Sequence, residues 1–204
     1  MINWTDEGIV LSGRKHGESA AIITLMTRDH GRHSGLVRGG GGSRGRGIYQ
    51  AGNLVSAAWR ARLSEHLGAY NCELIKPNAA KLMAERLPLS ALTSSVALVE
   101  RLLPEREPHK ETFSSLTALI DNLCAGNDWL PEYVRWELGL LKQLGYGLAL
   151  GNCGATGSTE DLIYVSPRTG CAVSATAGAP YRNKLFDLPP FFTTKATNPS
   201  VREI

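Results

Sequence analysis

The sequence has no long apolar run, and its N-terminus, MINWTDEGIVLSG, lacks the basic start and hydrophobic stretch of a signal peptide. Nothing in it approaches the roughly 20 apolar residues that cross a bilayer. Both absences predict a soluble, cytoplasmic protein with no membrane partner. Cysteine is scarce. Cys72, Cys124, Cys153 and Cys171 are widely scattered, which in a cytoplasmic chain reads as free thiols rather than a disulfide framework. A phosphate-cradling Gly-Lys-Ser/Thr is missing. Gly40 to Gly45 satisfies G-x-G-x-x-G, but the match is nearly automatic in glycine-rich sequence, and Tyr49 to Asn53 reads as a turn leading into a strand. The five histidines lie mostly beside turns and basic residues, and no carboxylate pairs with a nucleophile at a telling spacing. No catalytic residue, no cofactor and no enzymatic activity are therefore expected.

What is present is basic charge in one place. Residues 1 to 76 hold ten Lys/Arg against six Asp/Glu, whereas residues 77 to 204 hold twelve against thirteen. Within the basic third, Gly31 to Gly47 (GRHSGLVRGGGGSRGRG) has four arginines, one histidine and no acid. Glycine brings no side chain to bury and arginine resists losing its water, so the stretch points to cations displayed for a polyanion, or to a solvated loop.

From Glu7 to about Pro77, short β-prone runs alternate with turns: 8–12, 20–27, 32–38, 53–63 and 67–75. Five strands at this spacing predict a closed or nearly closed antiparallel barrel. In the fourth run Val55, Ala57, Trp59, Ala61 and Leu63 share one face and Leu54, Ser56, Ala58, Arg60 and Arg62 the other. Trp4 and Trp59 are candidate base-stacking platforms, with Trp59 better placed in the core. On this reading Arg32 to Arg38 is a strand with fixed basic side chains, and Gly39 to Gly47 is a poorly ordered loop. Hypothetical phosphate contacts on one side of the barrel are Arg14, Lys15, Arg28, Arg32, Arg38, Arg44, Arg46, Arg60 and Arg62.

After Pro77 the period changes to helical. Three helices are predicted, over 88–103, 110–124 and 131–144, packed as a small bundle. Cys72 and Cys124 sit in apolar patterns as buried hydrophobes. Tyr133, Arg135 and Lys142 either flank a groove for an acidic, apolar-ended peptide or are ordinary helix-surface groups. Residues 162–166 and 172–174 predict a hairpin around Pro167 to Gly170. Cys153 and Cys171 stand where a zinc ribbon starts its two knuckles, but the partner positions hold Thr156 and Ser174, so no metal is expected. Asn198-Pro199 is a helix start that the chain ends within two turns of, which predicts a truncated C-terminus. The fold class read from these patterns is α+β: a five-stranded barrel over 1–78, then a helical domain over 79–204 that includes a metal-free, zinc-ribbon-like hairpin at 151–176.

Trp4 to Leu11, Gly17-Glu18, Leu25 to Gly39, Gln50 to Asn53, Trp59 to Arg62, Glu160 to Gly170 and Ala177 to Tyr181 resemble the RecO family of recombination mediators in its alphaproteobacterial form. The resemblance implies the OB-fold, the helical domain and the zinc-finger-like insertion. It also implies a non-enzymatic role at the nucleoid. Such a protein binds single- and double-stranded DNA, anneals complementary strands, and works with RecR to load RecA onto DNA coated by single-strand-binding protein, which it engages through that protein's acidic C-terminal tail. From the residues alone, two rivals remain open: a protein-interaction adaptor without strong DNA binding, and an RNA-binding OB-fold protein.

Overall fold

A computed structural model of the chain describes residues 1–126 and 128–192. The helix start at Asn198-Pro199 lies outside the described residues. Contacts divide the chain into two compact units, Met1–Asn127 and Asp128–Ile204.

In the first unit, β1 (Ile2–His16), β2 (Ala20–Thr27), β3 (Gly31–Val37), β4 (Leu54–Ala61) and β5 (Ala69–Lys76) form an OB-like barrel in the order β1-β2-β3-β5-β4, its β3–β5 seam held at a single residue pair. An odd number of strands cannot close with antiparallel pairs alone. One seam must be parallel, and here it is β3 with β5, joined at Leu36–Ala69 with the Leu36 amide donating to Gly68 O at 3.0 Å. The expected all-antiparallel barrel is corrected at that seam. β1 starts six residues before the expected run because its first half pairs with β4, Ile2 opposite Ala61 through Ile9 opposite Leu54. Its second half pairs with β2, past an irregularity between Val10 and Ser12. Polar Asp6 disguises the first half in the sequence. Its carboxylate accepts the amides of Glu7 (2.8 Å) and Asp29 (2.7 Å) and lies 3.1 Å from His30 Nδ1, pinning the β2–β3 turn.

Alternation along β4 holds: Val55, Ala57, Trp59 and Ala61 join the barrel core while Ala58 and Arg60 are exposed. Trp59 is buried, and its Nε1–H donates to Leu67 O at 3.0 Å. Cys72 is buried in the same core, and Cys124 is half-buried.

Gly39 to Gly47 is not the unstructured loop the composition suggests. After a turn it forms a short helix, α1 (Ser43–Ile48), because Gly45 sits directly on the Gly40 backbone, where a Cβ would come within 2.3 Å of Gly40 O. The helix is fastened by Asn53, which is 1% exposed. Asn53 Nδ2 donates to Gly47 O (3.1 Å) and Ile48 O (3.0 Å), carbonyls at the C-terminal end of α1, and Oδ1 accepts the Ala79 amide at 3.0 Å. Beside it the buried Asn78 Nδ2 donates to Gly52 O at 3.0 Å.

α2 (Asn78–Leu82), α3 (Arg86–Leu102) and α4 (Lys110–Ala125) complete this unit, with Leu92, Val96, Val99, Phe113, Leu116, Ile120 and Leu123 buried. α4 ends on Gly126 in the left-handed conformation, φ 67°. Between α3 and α4 the chain lies along β3. Arg32 Nε donates to Leu103 O (2.8 Å), the Arg106 amide donates to Arg32 O (2.8 Å), and the Arg106 guanidinium donates to Ser64 O and His66 O. Gly31 is required by this approach: it has φ 66°, and a Cβ there would lie 1.9 Å from Glu107 O.

α3 and α4 pack together in the first unit, and α5 (Leu130–Gln143) belongs to the second. Its sheet has the order β6-β8-β7-β9, from β6 (Ala149–Cys153), β7 (Leu162–Val165), β8 (Cys171–Ser174) and β9 (Phe186–Asp187). β7 and β8 are the expected antiparallel hairpin. A short helix, α6 (Ala175–Gly178), and two 3-10 turns lie between and beyond the last strands. Among the described residues no helix is long and apolar enough to cross a membrane.

Two stability predictions follow from the barrel. Asn53→Ala removes two donors from α1 and one acceptor from α2, and is expected to cost about 2–4 kcal/mol in urea unfolding; an unchanged midpoint contradicts the fastening role. His33, 4% exposed, lies against Trp4, Trp59 and Tyr70. Burial, helped by the Arg106 cation, pushes its imidazole down from 6.5 to about 4. The unfolded chain then binds more protons in that window, so stability is complete above about pH 6.5 and falls toward pH 4. His33→Gln should flatten that part of the stability–pH curve.

Candidate nucleic-acid interface

The outward faces of β1, β4 and β5 are set by register. Asn3 lies opposite Arg60 and Arg60 opposite Ala69; Thr5 lies opposite Ala58 and Ala58 opposite Asn71. Because β3 meets β5 at a single pair, the barrel wall is open beside that seam, and α1 stands over the opening. The result is a groove of about 960 Å³ between the β1-β4-β5 face, the end of β3 and α1. Among the described residues no Asp or Glu lines it.

Three of the nine candidate cations converge there. Arg38 leaves the end of β3, Arg44 stands on α1, and Arg60 projects from β4; all three line the groove and are exposed. Among the described residues none of them is ion-paired. Arg28 and Arg32 are committed elsewhere. Arg28 pairs with Glu7 and stacks over the Phe113 ring, 5.5 Å from its centroid. Arg32 bonds Leu103 O and pairs with Glu105 at 3.2 Å. Arg14, Lys15, Arg46 and Arg62 are exposed but do not line the groove.

Sequence reasoning missed the groove's neutral residues. Asn3, Tyr49, Ala69, Tyr70 and Asn71 line it, brought together by strand register and by α1, neither of which local composition reveals. Burial, followed by the neighbouring Cys72, pushes the Tyr49 hydroxyl up, and burial pushes the Cys72 thiol up to about 11. Both therefore stay neutral at physiological pH, and no anion forms on the groove floor to repel a phosphate. Trp4 and Trp59 also border the groove, but Trp4 is already stacked on His30 (4.0 Å, 8°) and on Trp59 (5.5 Å, 19°). Their rings are engaged within the protein.

In the second unit, Cys153 Sγ accepts the Ser174 amide at 3.3 Å. Hydrogen bonds from the Thr156 hydroxyl, and then from Ser174, hold this thiol down at about 6. Cys171 and Ser174 lie three apart in β8, so their side chains take opposite faces. The Thr156 and Ser174 hydroxyls are poor zinc ligands, and here both hydrogen-bond the Cys153 sulfur. Among the described residues no group of three His, Cys, Asp or Glu is placed to hold a metal ion.

On α5, Arg135 pairs with Glu132 at 2.6 Å and donates to Phe191 O at 3.1 Å. Lys142, exposed in the last turn, lies seven residues on and so near the same face. Tyr133 is about 200° round the helix from Arg135, with its ring against Trp129 and Trp136. The helix does not gather the three on one face.

Comparison with known proteins places this architecture. The family description "Recombination protein O N terminal" matches residues 1–78, and "Recombination protein O C terminal" matches residues 84–202. A DNA repair protein RecO of Bradyrhizobium diazoefficiens is 54% identical over 190 residues, covering 93% of this chain and 76% of the relative. That of Rhodospirillum centenum is 52% identical over 197 residues, covering 96% and 78%. That of Rhodospirillum rubrum is 46% identical over 205 residues, covering 98% and 81%. With both halves matched in order and about half the residues shared with several relatives, the chain belongs to the RecO family, in its alphaproteobacterial form.

Proposed function

We propose that this protein is a DNA repair and recombination mediator that acts by binding rather than by catalysis. It binds single- and double-stranded DNA along the barrel groove, holds complementary strands for annealing, and acts with RecR to load RecA onto DNA coated by single-strand-binding protein. Family membership supports the repair role. The observation that carries the DNA reading is the convergence of Arg38, Arg44 and Arg60 around a groove where, among the described residues, no acid lines the wall and no ion partner meets the three. Arginines held on strand ends and a short helix can follow a phosphate backbone without reading sequence. Neutralising phosphates on two strands lowers their mutual repulsion, and this requires no nucleotide hydrolysis. The acidic tail of single-strand-binding protein is assigned to the second unit, where Lys142 is exposed on α5.

With three groove arginines engaged, log affinity for a single strand plotted against log salt should slope at about −2, at about −0.7 per contact. Fluorescence anisotropy across a salt series measures it. Arg60→Ala should make the slope shallower by about 0.7, whereas Arg32→Ala should lower the unfolding midpoint and leave the slope unchanged. A slope near zero, or no retention of DNA at low salt, favours the adaptor reading. Equal or tighter binding to RNA of the same sequence favours an RNA-binding role.

A further inference from the structure

We infer that the opening beside the β3–β5 seam receives an unpaired nucleobase, turned inward from a strand whose phosphates lie on Arg38, Arg44 and Arg60; this rests on the DNA reading above. Phosphate binding needs only the cationic rim. The groove has more than a rim. Its volume is about 960 Å³, and it reaches past the Leu36–Ala69 pair to buried Trp59, Tyr70 and Cys72. A paired duplex keeps its bases inside and would leave that depth empty.

The lining suits a base in particular. A nucleobase has apolar faces and a polar edge. The floor offers the half-buried Ile48 and the rings of Tyr49 and Tyr70. At the lip the exposed amides of Asn3 and Asn71 each supply donors and an acceptor, able to meet any base edge. The Tyr49 hydroxyl and the Cys72 thiol are hydrogen-bonded to each other, and burial keeps both neutral, so the cavity floor carries no anion. Among the described residues the lining has no carboxylate and its three arginines no ion partner, which argues for an anionic polymer over a peptide or a neutral metabolite. The location also differs from the β2–β3 face that OB-folds commonly use; here α1 and the parallel seam make the pocket. A base already free of a partner enters at no unpairing cost. The pocket therefore favours single strands and unpaired junctions over closed duplex, at the same arginines.

The test compares two strands with the same number of phosphates, oligodeoxythymidylate and a fully abasic analogue, bound to the full chain at several salt concentrations. The abasic strand should bind about tenfold more weakly with an unchanged salt slope, since one stacked base is worth a factor of this order. Asn71→Ala, at an exposed position, should weaken thymidylate and leave the abasic strand unaffected. Equal affinities of the two strands overturn the inference while leaving the arginine interface intact. Failure of both strands to bind at low salt overturns the DNA reading on which the inference rests.

Discussion

The buried side chain of Asn53 is the constraint on which the site depends. One side-chain amide holds the last carbonyls of α1 and the Ala79 amide in the first turn of α2 while its backbone joins the barrel, where the Val10 amide donates to Asn53 O. Both the helix standing over the groove and the helix that begins the α-helical part are therefore indexed to the same point of the barrel. A six-residue helix with two glycines, Gly45 and Gly47, in its interior has little stability of its own. Tied down, it becomes a wall that carries Arg44 and leaves an opening beside the seam. The amide is costly to bury unpaired, which makes the arrangement close to all-or-none.

A second set of ties divides the basic residues by role. The segment between α3 and α4 lies along β3 and takes up Arg32, while Arg28 is absorbed between Glu7 and Phe113. These ion pairs are partly exposed, and each is worth little alone. Their main consequence is allocation: cations on the β2–β3 side hold the chain together, and cations around α1, β4 and the end of β3 are left for a ligand. The same sequence segment, Gly31 to Gly47, therefore serves both purposes, changing role between Arg32 and Arg38.

Much of this was legible in the sequence because it is periodic. The alternation Val55-Ala57-Trp59-Ala61 gave β4 its faces, and stripes such as Leu92-Val96-Val99 and Leu116-Ile120-Leu123 gave α3 and α4, each within about two residues of the observed ends. The hairpin around Pro167 to Gly170 was legible from its turn. What stayed hidden depends on partners far along the chain. The first half of β1 is a strand because β4 lies beside it, and Asp6 is tolerated there because the β2–β3 turn consumes its charge. α1 is helical because Gly45 fits on Gly40 and Asn53 receives its end, neither of which local propensity records. The nine candidate cations could not be sorted by composition. Only the fold distinguishes Arg32, spent on Leu103 and Glu105, from Arg60, left in an open groove.

The central claim is that DNA lies along the groove formed by α1, β4 and β5 rather than along the β2–β3 side of the barrel. Hydrogen–deuterium exchange of the full chain with and without a single-stranded oligonucleotide tests it most directly. Slowed exchange concentrated in residues 38–49, 58–60 and 69–72 is the predicted result. Slowed exchange concentrated instead in residues 14–16 and 28–32, with the α1 region unchanged, would contradict the account.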